Sequence, residues 1–489
     1  MNKIFYRPKQ SWVGDLIPFT EQNQFYLFFL NDARKTDVIA DKTTWNLITT
    51  DDFINIEDKG VILPIGNMEQ PDRCCYTGSV LKDPAGKYHM FYTAQNPENP
   101  AFCKDGKPLQ YIIHATSADL IHWEKHYDQR FSADGAIYEP FDWRDPYVFY
   151  NDAEHLYNML LAARNHPSSF RRGGCTVICR SDDLIHWRIG EAFFDPEMYL
   201  THECPDLFKM GDWWYLVYST FSDKFVTHYR MSKSLKGPWL SPQIDTFDAR
   251  GLYAAKTAAN PKGRFVFGWI PTKQNGNDFS PWQWGGNMAV HQLVQQQDGT
   301  LAVKIPDSIY AIFAHSIAPK TISSFGEVVE REKSITVHAP EKMSYSIFDN
   351  LPEQCLIEAE IRFSEGILSF GIDLHLGNTL DDGYFYRFEP FYNRLVFDMW
   401  PRCNQRIQQH QLAGDQQFLV AFERPIDFTK LDKIFIKLIV DGDIGILYVN
   451  DTTALSTRTY NLNQNKKWGF FAYGGTITIT NIQIKTPNF

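Results

Sequence analysis

A chain of 489 residues with 44% hydrophobic and 15% aromatic content carries enough apolar material for two cores, which excludes wholesale disorder and sets an expectation of two domains, or one large and one small. The formal charge of -10 excludes a nucleic-acid binder, whose phosphate contacts need a basic face. No apolar run is long enough to span a bilayer, and Met1 to Arg7 do not lead into an apolar signal region, so a cytoplasmic protein without membrane partners is expected.

From the N-terminus, Asp15 stands ahead of Leu16 to Phe19, a polar turn at Glu21 to Gln24, and the aromatic strand Phe25 to Phe29. The same layout returns at Asp145, with Tyr147 to Tyr150 and Tyr157 to Leu161. It returns again at Glu203, with Leu207 to Met210, the turn Gly211-Asp212 and Trp214 to Tyr218. Tyr88 to Tyr92 and Arg264 to Trp269 read as further second strands. A third element recurs as a Ser/Asp turn with an apolar anchor: Thr49 to Phe53, Thr116 to Trp123, Arg180 to Trp187 and, more weakly, Met231 to Leu235 with Trp239. The spacing of roughly 50 to 70 residues suits a four-stranded blade, and no period near 3.6 competes with it. An all-β chain is expected, with a five-bladed β-propeller over residues 1–305, a connection over 306–333 and a C-terminal β-sandwich over 334–489.

In a propeller the first strand of every blade lines the central channel, so the heads of successive first strands face one pocket. That placement brings together Asp15, the Thr77-Gly78-Ser79 segment, Asp145, Glu203 and the Lys256-Thr257 segment. Three carboxyls at short range cannot all ionise cheaply, so one is expected to hold its proton near neutral pH, as acid/base chemistry on sugars requires. Around Asp15, Asp145 and Glu203 the expected substrate-binding residues are Trp12, Tyr76, Ser79, Arg144, Cys204, Tyr253, Lys256 and Trp284. Trp282 and Trp284 suit either a platform over the pocket or packing between the last blade and the first. His114, His122 and His186 suit packing or turn hydrogen bonds. The eight cysteines, two of them adjacent at Cys74 and Cys75, do not form a disulfide framework. Cys175 and Cys179 lack a second pair at zinc spacing and read as buried thiols; no metal or cofactor is needed.

Trp12-Val13-Gly14-Asp15, Tyr76 to Ser79, Arg144-Asp145-Pro146, Glu203-Cys204-Pro205, Tyr253 to Thr257 and Phe267-Gly268-Trp269 resemble the motif series of glycoside hydrolase family 32, the β-fructosidases. The resemblance implies a five-bladed propeller with a C-terminal sandwich, a small carbohydrate substrate and retention at the anomeric carbon. It makes Asp15 the nucleophile, Glu203 the general acid/base and Asp145 the acid that holds sugar hydroxyls. The chain departs from the family at Gly14-Asp15-Leu16-Ile17-Pro18, at Leu30 and at Trp45-Asn46-Leu47, each a loss of polar groups that would select the substrate. A transfructosylase, another five-bladed glycosidase or phosphorylase, and a sugar-binding propeller without turnover remain open, as do the fructoside, its linkage and the oligomeric state.

Overall fold

The computed structural model describes residues 4–36, 38–167, 172–222, 225–378, 380, 382–400, 422–461 and 464–488; Met1 to Lys3 and one of the eight cysteines, Cys403, lie outside them. The described chain is all-β apart from short 3-10 turns and one five-residue α-helix, Asp307–Ala311. Among the described residues no helix is long and apolar enough to cross a membrane. The described cysteines are all free.

The N-terminal strands form five antiparallel units in chain order. Their lead strands are β1 (Trp12–Glu21), β2 (Cys74–Lys82), β3 (Tyr138–Asn151), β4 (Glu203–Met210) and β5 (Tyr253–Asn260). Each lead strand pairs with the aromatic strand that follows it, as in Leu16 to Thr20 of β1 against Phe25 to Phe29. The first, second, third and fifth units have four strands. The fourth has three, with single bridges from Met231 to Leu240 and His228 to Thr246 at its edge. Among the described residues, the first and fifth units share one ladder pair, Val13 with Gly286. Each lead strand touches the next, β1 to β2, β2 to β3, β3 to β4 and β4 to β5, and β5 returns to β1.

The Ser/Asp turns have one chemistry. Ser117 Oγ accepts from the amides of Asp119 and Leu120, and Asp119 Oδ1 accepts from those of Ile121 and His122. Ser181 and Asp183 repeat every bond. The anchor residues Phe53, Leu120 and Leu184 all take positive φ and are buried, so an apolar side chain seated in the core offsets backbone strain at each turn. His122 and His186 bond their turn aspartates at 2.7 Å, and His114 stacks on Phe91 at 4.5 Å.

The C-terminal strands form an eight-stranded and a seven-stranded antiparallel sheet that share an apolar core including Ile357, Ile361, Phe370, Ile372, Trp468 and Phe470. Residues 306–333, expected as a plain connection, instead carry the short helix and three strands. His315–Ile317, Thr321–Phe325 and Glu327–Arg331 pair respectively with Gly475–Thr486, Ser344–Phe348 and Ser334–Ala339. These strands are largely exposed, so backbone hydrogen bonds rather than apolar burial hold them, and the sequence shows no apolar alternation there. The two halves are pinned together by buried polar contacts. Asp441 Oδ2 accepts the amides of Ile4 and Phe5 at 2.9 and 3.1 Å. Arg458 donates to Ile270 O, Pro271 O and Asn287 Oδ1.

Candidate active site

Every lead strand breaks register near its head. The slips fall between Val13 and Leu16, Cys75 and Gly78, Arg144 and Tyr147, Glu203 and Asp206, and Tyr253 and Lys256. Such bulges re-aim side chains, and three of them hold Asp145, Cys204 and Ala254 at φ of 59, 51 and 50 degrees. The three acids therefore do not share one repeat position. Glu203 comes just before its bulge, Asp145 is the first bulged residue, and Asp15 is the second.

The bulges bring the acids together. Cys204 joins two of them: its amide donates to Asp145 Oδ2 at 2.9 Å, and its thiol lies 3.6 Å from Asp15 Oδ2. Asp15 also accepts from Thr77 Oγ1 at 2.6 Å and Trp269 Nε1 at 3.0 Å. Glu203 accepts from Tyr253 OH at 2.5 Å and from Arg144 Nη2 at 3.1 Å. Arg144 Nε lies 3.8 Å from Asp145, Nη2 also reaches Thr201, and Nη1 is bonded to Asp142, which Arg164 holds from behind at 2.6 Å. Asp145 is 4% exposed, and its own amide donates to Thr93 Oγ1.

Burial pushes both outer acids upward. The Glu203 carboxyl rises to about 7, because burial and the Asp145 and Asp15 charges outweigh Arg144 and the Tyr253 hydrogen bond. Asp15 rises to about 6, because burial, aided by the Asp145 charge, outweighs the hydrogen bonds from Thr77, Trp269 and Cys204. Near neutral pH the site thus offers one carboxyl that still holds much of its proton and one that is largely ionised. A proton donor beside a carboxylate nucleophile is the equipment for cleaving a glycosidic bond. Among the described residues no group of acids, histidines or cysteines could hold a metal ion.

The other sequence candidates divide. Arg144, Cys204 and Tyr253 touch the acids directly. Trp284 lies over Gly14, where a Cβ would come within 2.0 Å of its ring, and packs on Trp269 at 5.7 Å; Trp282 packs instead on Phe422 at 5.3 Å. Trp12 is stacked with the guanidiniums of Arg7 and Arg34 at 4.3 and 4.4 Å. Tyr76 turns its hydroxyl to Gln95 at 3.5 Å, outside the carboxylate network. Ser79 and Lys256 lie further along their strands and line a separate cavity of about 230 Å³ with Asp206, Tyr147 and Arg264. Ser79 Oγ accepts the Val148 amide and Lys256 Nζ donates to Gly78 O, so both tie one unit to another. The bulge is the reason: residues past it belong to the regular ladder. Thr77 falls where its segment was expected, at the pocket beside Asp15, whereas Trp269, Asp142 and Thr201 were not among the candidates. Trp269 stands inside a motif already noted and Thr201 lies two residues before Glu203, whereas nothing in the sequence marks Asp142.

Residues 5–304 match the model of the glycosyl hydrolases family 32 N-terminal domain. The chain belongs to glycosyl hydrolases family 32. Over 470 residues it is 22% identical to the sucrose-6-phosphate hydrolase of Escherichia coli, covering 89% of this chain and 84% of that protein. It is 23% identical to the levanbiose-producing levanase of Geobacillus stearothermophilus, covering 70% of this chain and 87% of that one. The crystal structure of the exo-inulinase from Aspergillus awamori superposes with a TM-score of 0.73 at 15% identity, covering 100% of this chain and 98% of the other, which shows a shared fold. The family 32 match takes in all five lead strands and every acid of the cluster.

Proposed function

We propose that this family 32 member is a retaining β-fructofuranoside hydrolase that releases fructose through a covalent fructosyl-enzyme. The observation that carries the reading is the Asp15, Asp145 and Glu203 cluster, bridged by Cys204 and Arg144, with Glu203 pushed up to about 7. Ionised Asp15 attacks the anomeric carbon while Glu203 protonates the departing glycosidic oxygen. Water then adds to the anomeric carbon as Glu203 takes its proton, and the Asp15 ester bond breaks. Asp145, fixed by the Cys204 amide, accepts hydrogen bonds from sugar hydroxyls that strengthen as the ring gains positive charge. The printed activities of the sucrose-6-phosphate hydrolase and levanase relatives support fructosides as the substrate class.

In this reading the five units are the blades of a five-bladed propeller with β1 to β5 around its axis. The closed circuit of lead-strand contacts and the return of β5 to β1 support it. Residues 4–305 then form the catalytic domain and the C-terminal sheets a sandwich domain that begins near residue 315.

The test is incubation with sucrose, 1-kestose, inulin and levan, with products identified by chromatography. Fructose is expected from at least one, as the β-anomer in the first seconds by NMR, and not from Asp15→Asn. Cleavage of aryl arabinosides or xylosides with no fructose from any fructoside would overturn the reading.

A further inference from the structure

All five lead strands contribute to the wall of the cavity of about 230 Å³. Gly78, Tyr147, Asp206 and Lys256 are the first ladder residues after their bulges, so the cavity leads from the acid cluster toward the far ends of β1 and β5 at Thr20 and Ala259. Its wall holds more donors than acceptors. Lys256 is 2% exposed, and an ammonium carries three donors; among the described residues it has one acceptor, Gly78 O at 2.9 Å, and no carboxylate partner. Ser79 Oγ accepts the Val148 amide at 3.0 Å, and its own proton has no acceptor among the described residues. Further out, the half-buried Arg264 gives Nη1 to Thr257 Oγ1 at 2.8 Å and lies over the Phe208 ring at 4.2 Å. Asp206 is the one carboxylate among the described residues of the wall, and its Oδ2 is already taken by the Thr257 amide and hydroxyl at 2.8 and 2.7 Å.

Two cations against one carboxylate leave the wall with one positive charge in excess, and a buried ammonium with a single neutral acceptor is costly unless an anion satisfies it. Burial holds the Arg264 guanidinium below its ordinary pKa even with Asp206 and Tyr147 acting against it, in keeping with that excess. The volume is too small for a sugar chain and suits an ion with a few waters of about 30 Å³ each. We propose that this channel binds a small monovalent anion, chloride in the first instance, which accepts from Lys256 Nζ and the Ser79 hydroxyl, with Arg264 as the charged wall on the outer side. A divalent oxyanion would reverse the charge balance instead of closing it. Ser79 belongs to β2 and Lys256 to β5, so the ion reinforces the link that Lys256 already makes to Gly78 across the circuit of lead strands. The site lies past the bulges from the acids and does not depend on the fructosidase reading.

The experiment places the full chain in sodium gluconate, adds sodium chloride and follows the chloride NMR linewidth. The expected result is an excess linewidth that bromide removes and sulfate at equal ionic strength does not, reduced at least fivefold in Lys256→Met. An excess linewidth unchanged in that variant, or removed equally by sulfate, would overturn the site. A measurement on the wild type covers the case in which Lys256→Met does not fold. Crystals grown with sodium bromide should show an anomalous bromide peak within hydrogen-bonding reach of Lys256 Nζ and Ser79 Oγ. Bromide peaks confined to the outer surface would mean an adventitious ion only and would overturn the proposal. Neither readout involves fructose release, so the outcome is distinct from the fate of the fructosidase reading.

Discussion

At the scale of single residues, the proton on Glu203 has a consequence for stability. Its native pKa is raised to about 7, so between the ordinary glutamate range and pH 7 the folded protein holds a proton that the unfolded chain releases. Stability from this group is present at acid pH and declines as pH rises through that window. Glu203→Gln removes the liability, and thermal unfolding is expected to show it more stable than the wild type at pH 8 by on the order of 1–3 kcal/mol, with little difference at pH 4. Its turnover of unactivated fructosides should fall by about 10³-fold or more, while an aryl fructoside with a good leaving group loses far less in the first step. For Asp15, Trp269 Nε1 is one of the donors that oppose burial. Trp269→Phe takes that donor away, so Asp15 ionises at higher pH. The acidic limb of the kcat/KM profile should move upward by roughly half a unit to one unit; an unmoved limb would show that Asp15 does not set it.

At the scale of the strand, the bulge is what makes the site, and it explains which parts were legible. Aromatic second strands and the Ser117 and Ser181 turns are written plainly in residue types, because apolar alternation and Asx chemistry are local. The presence of Asp15, Asp145 and Glu203 in one site follows from that repetition. Their staggered positions do not, since a one-residue offset depends on the φ of Asp145 and Cys204, which no side-chain pattern encodes. The same step carries Ser79 and Lys256 away from the acids. The roles of Asp142 and Thr201 were invisible because both orient Arg144 across two units. Gly14, by contrast, has a role set by close approach: an added Cβ would lie 2.0 Å from the Trp284 ring. Gly14→Ala is expected to cost about 1–3 kcal/mol in denaturant unfolding by overpacking, and to lower kcat/KM by displacing the indole beside Asp15. Wild-type values for both would mean the ring moves aside freely.

Across the whole molecule, the halves are coupled by a buried network around Asp248, which has no exposure to spare for water. Its Oδ2 accepts from Ser456 Oγ at 2.6 Å and lies 3.2 Å from His291 Nε2, and its Oδ1 accepts the Ser456 amide. His291 Nδ1 in turn meets Tyr448 OH at 2.7 Å, and Arg424 donates to the Asp248 carbonyl. Apolar side chains of the C-terminal sheet, Leu356, Ile439 and Ile446, pack in the same cluster as Phe265 and Phe267 of the fifth unit. Burial opposes the Asp248 charge, but His291, Arg424 and Ser456 together hold its carboxyl below the ordinary aspartate range. A depressed carboxylate adds stability above its unfolded pKa and loses it as pH falls through the native one, so this contact weakens only in acid. Asp248→Ala leaves His291 Nε2 and the Ser456 hydroxyl and amide facing a buried gap, while Arg424 keeps its bond to the carbonyl at position 248, and leaving such buried groups unsatisfied costs about 1–3 kcal/mol. Because the loss falls on the contact between halves, calorimetry at neutral pH is expected to show one transition for the wild type and two for the variant. A variant that still melts in one step, with its midpoint unchanged, would show that the apolar contacts alone couple the halves.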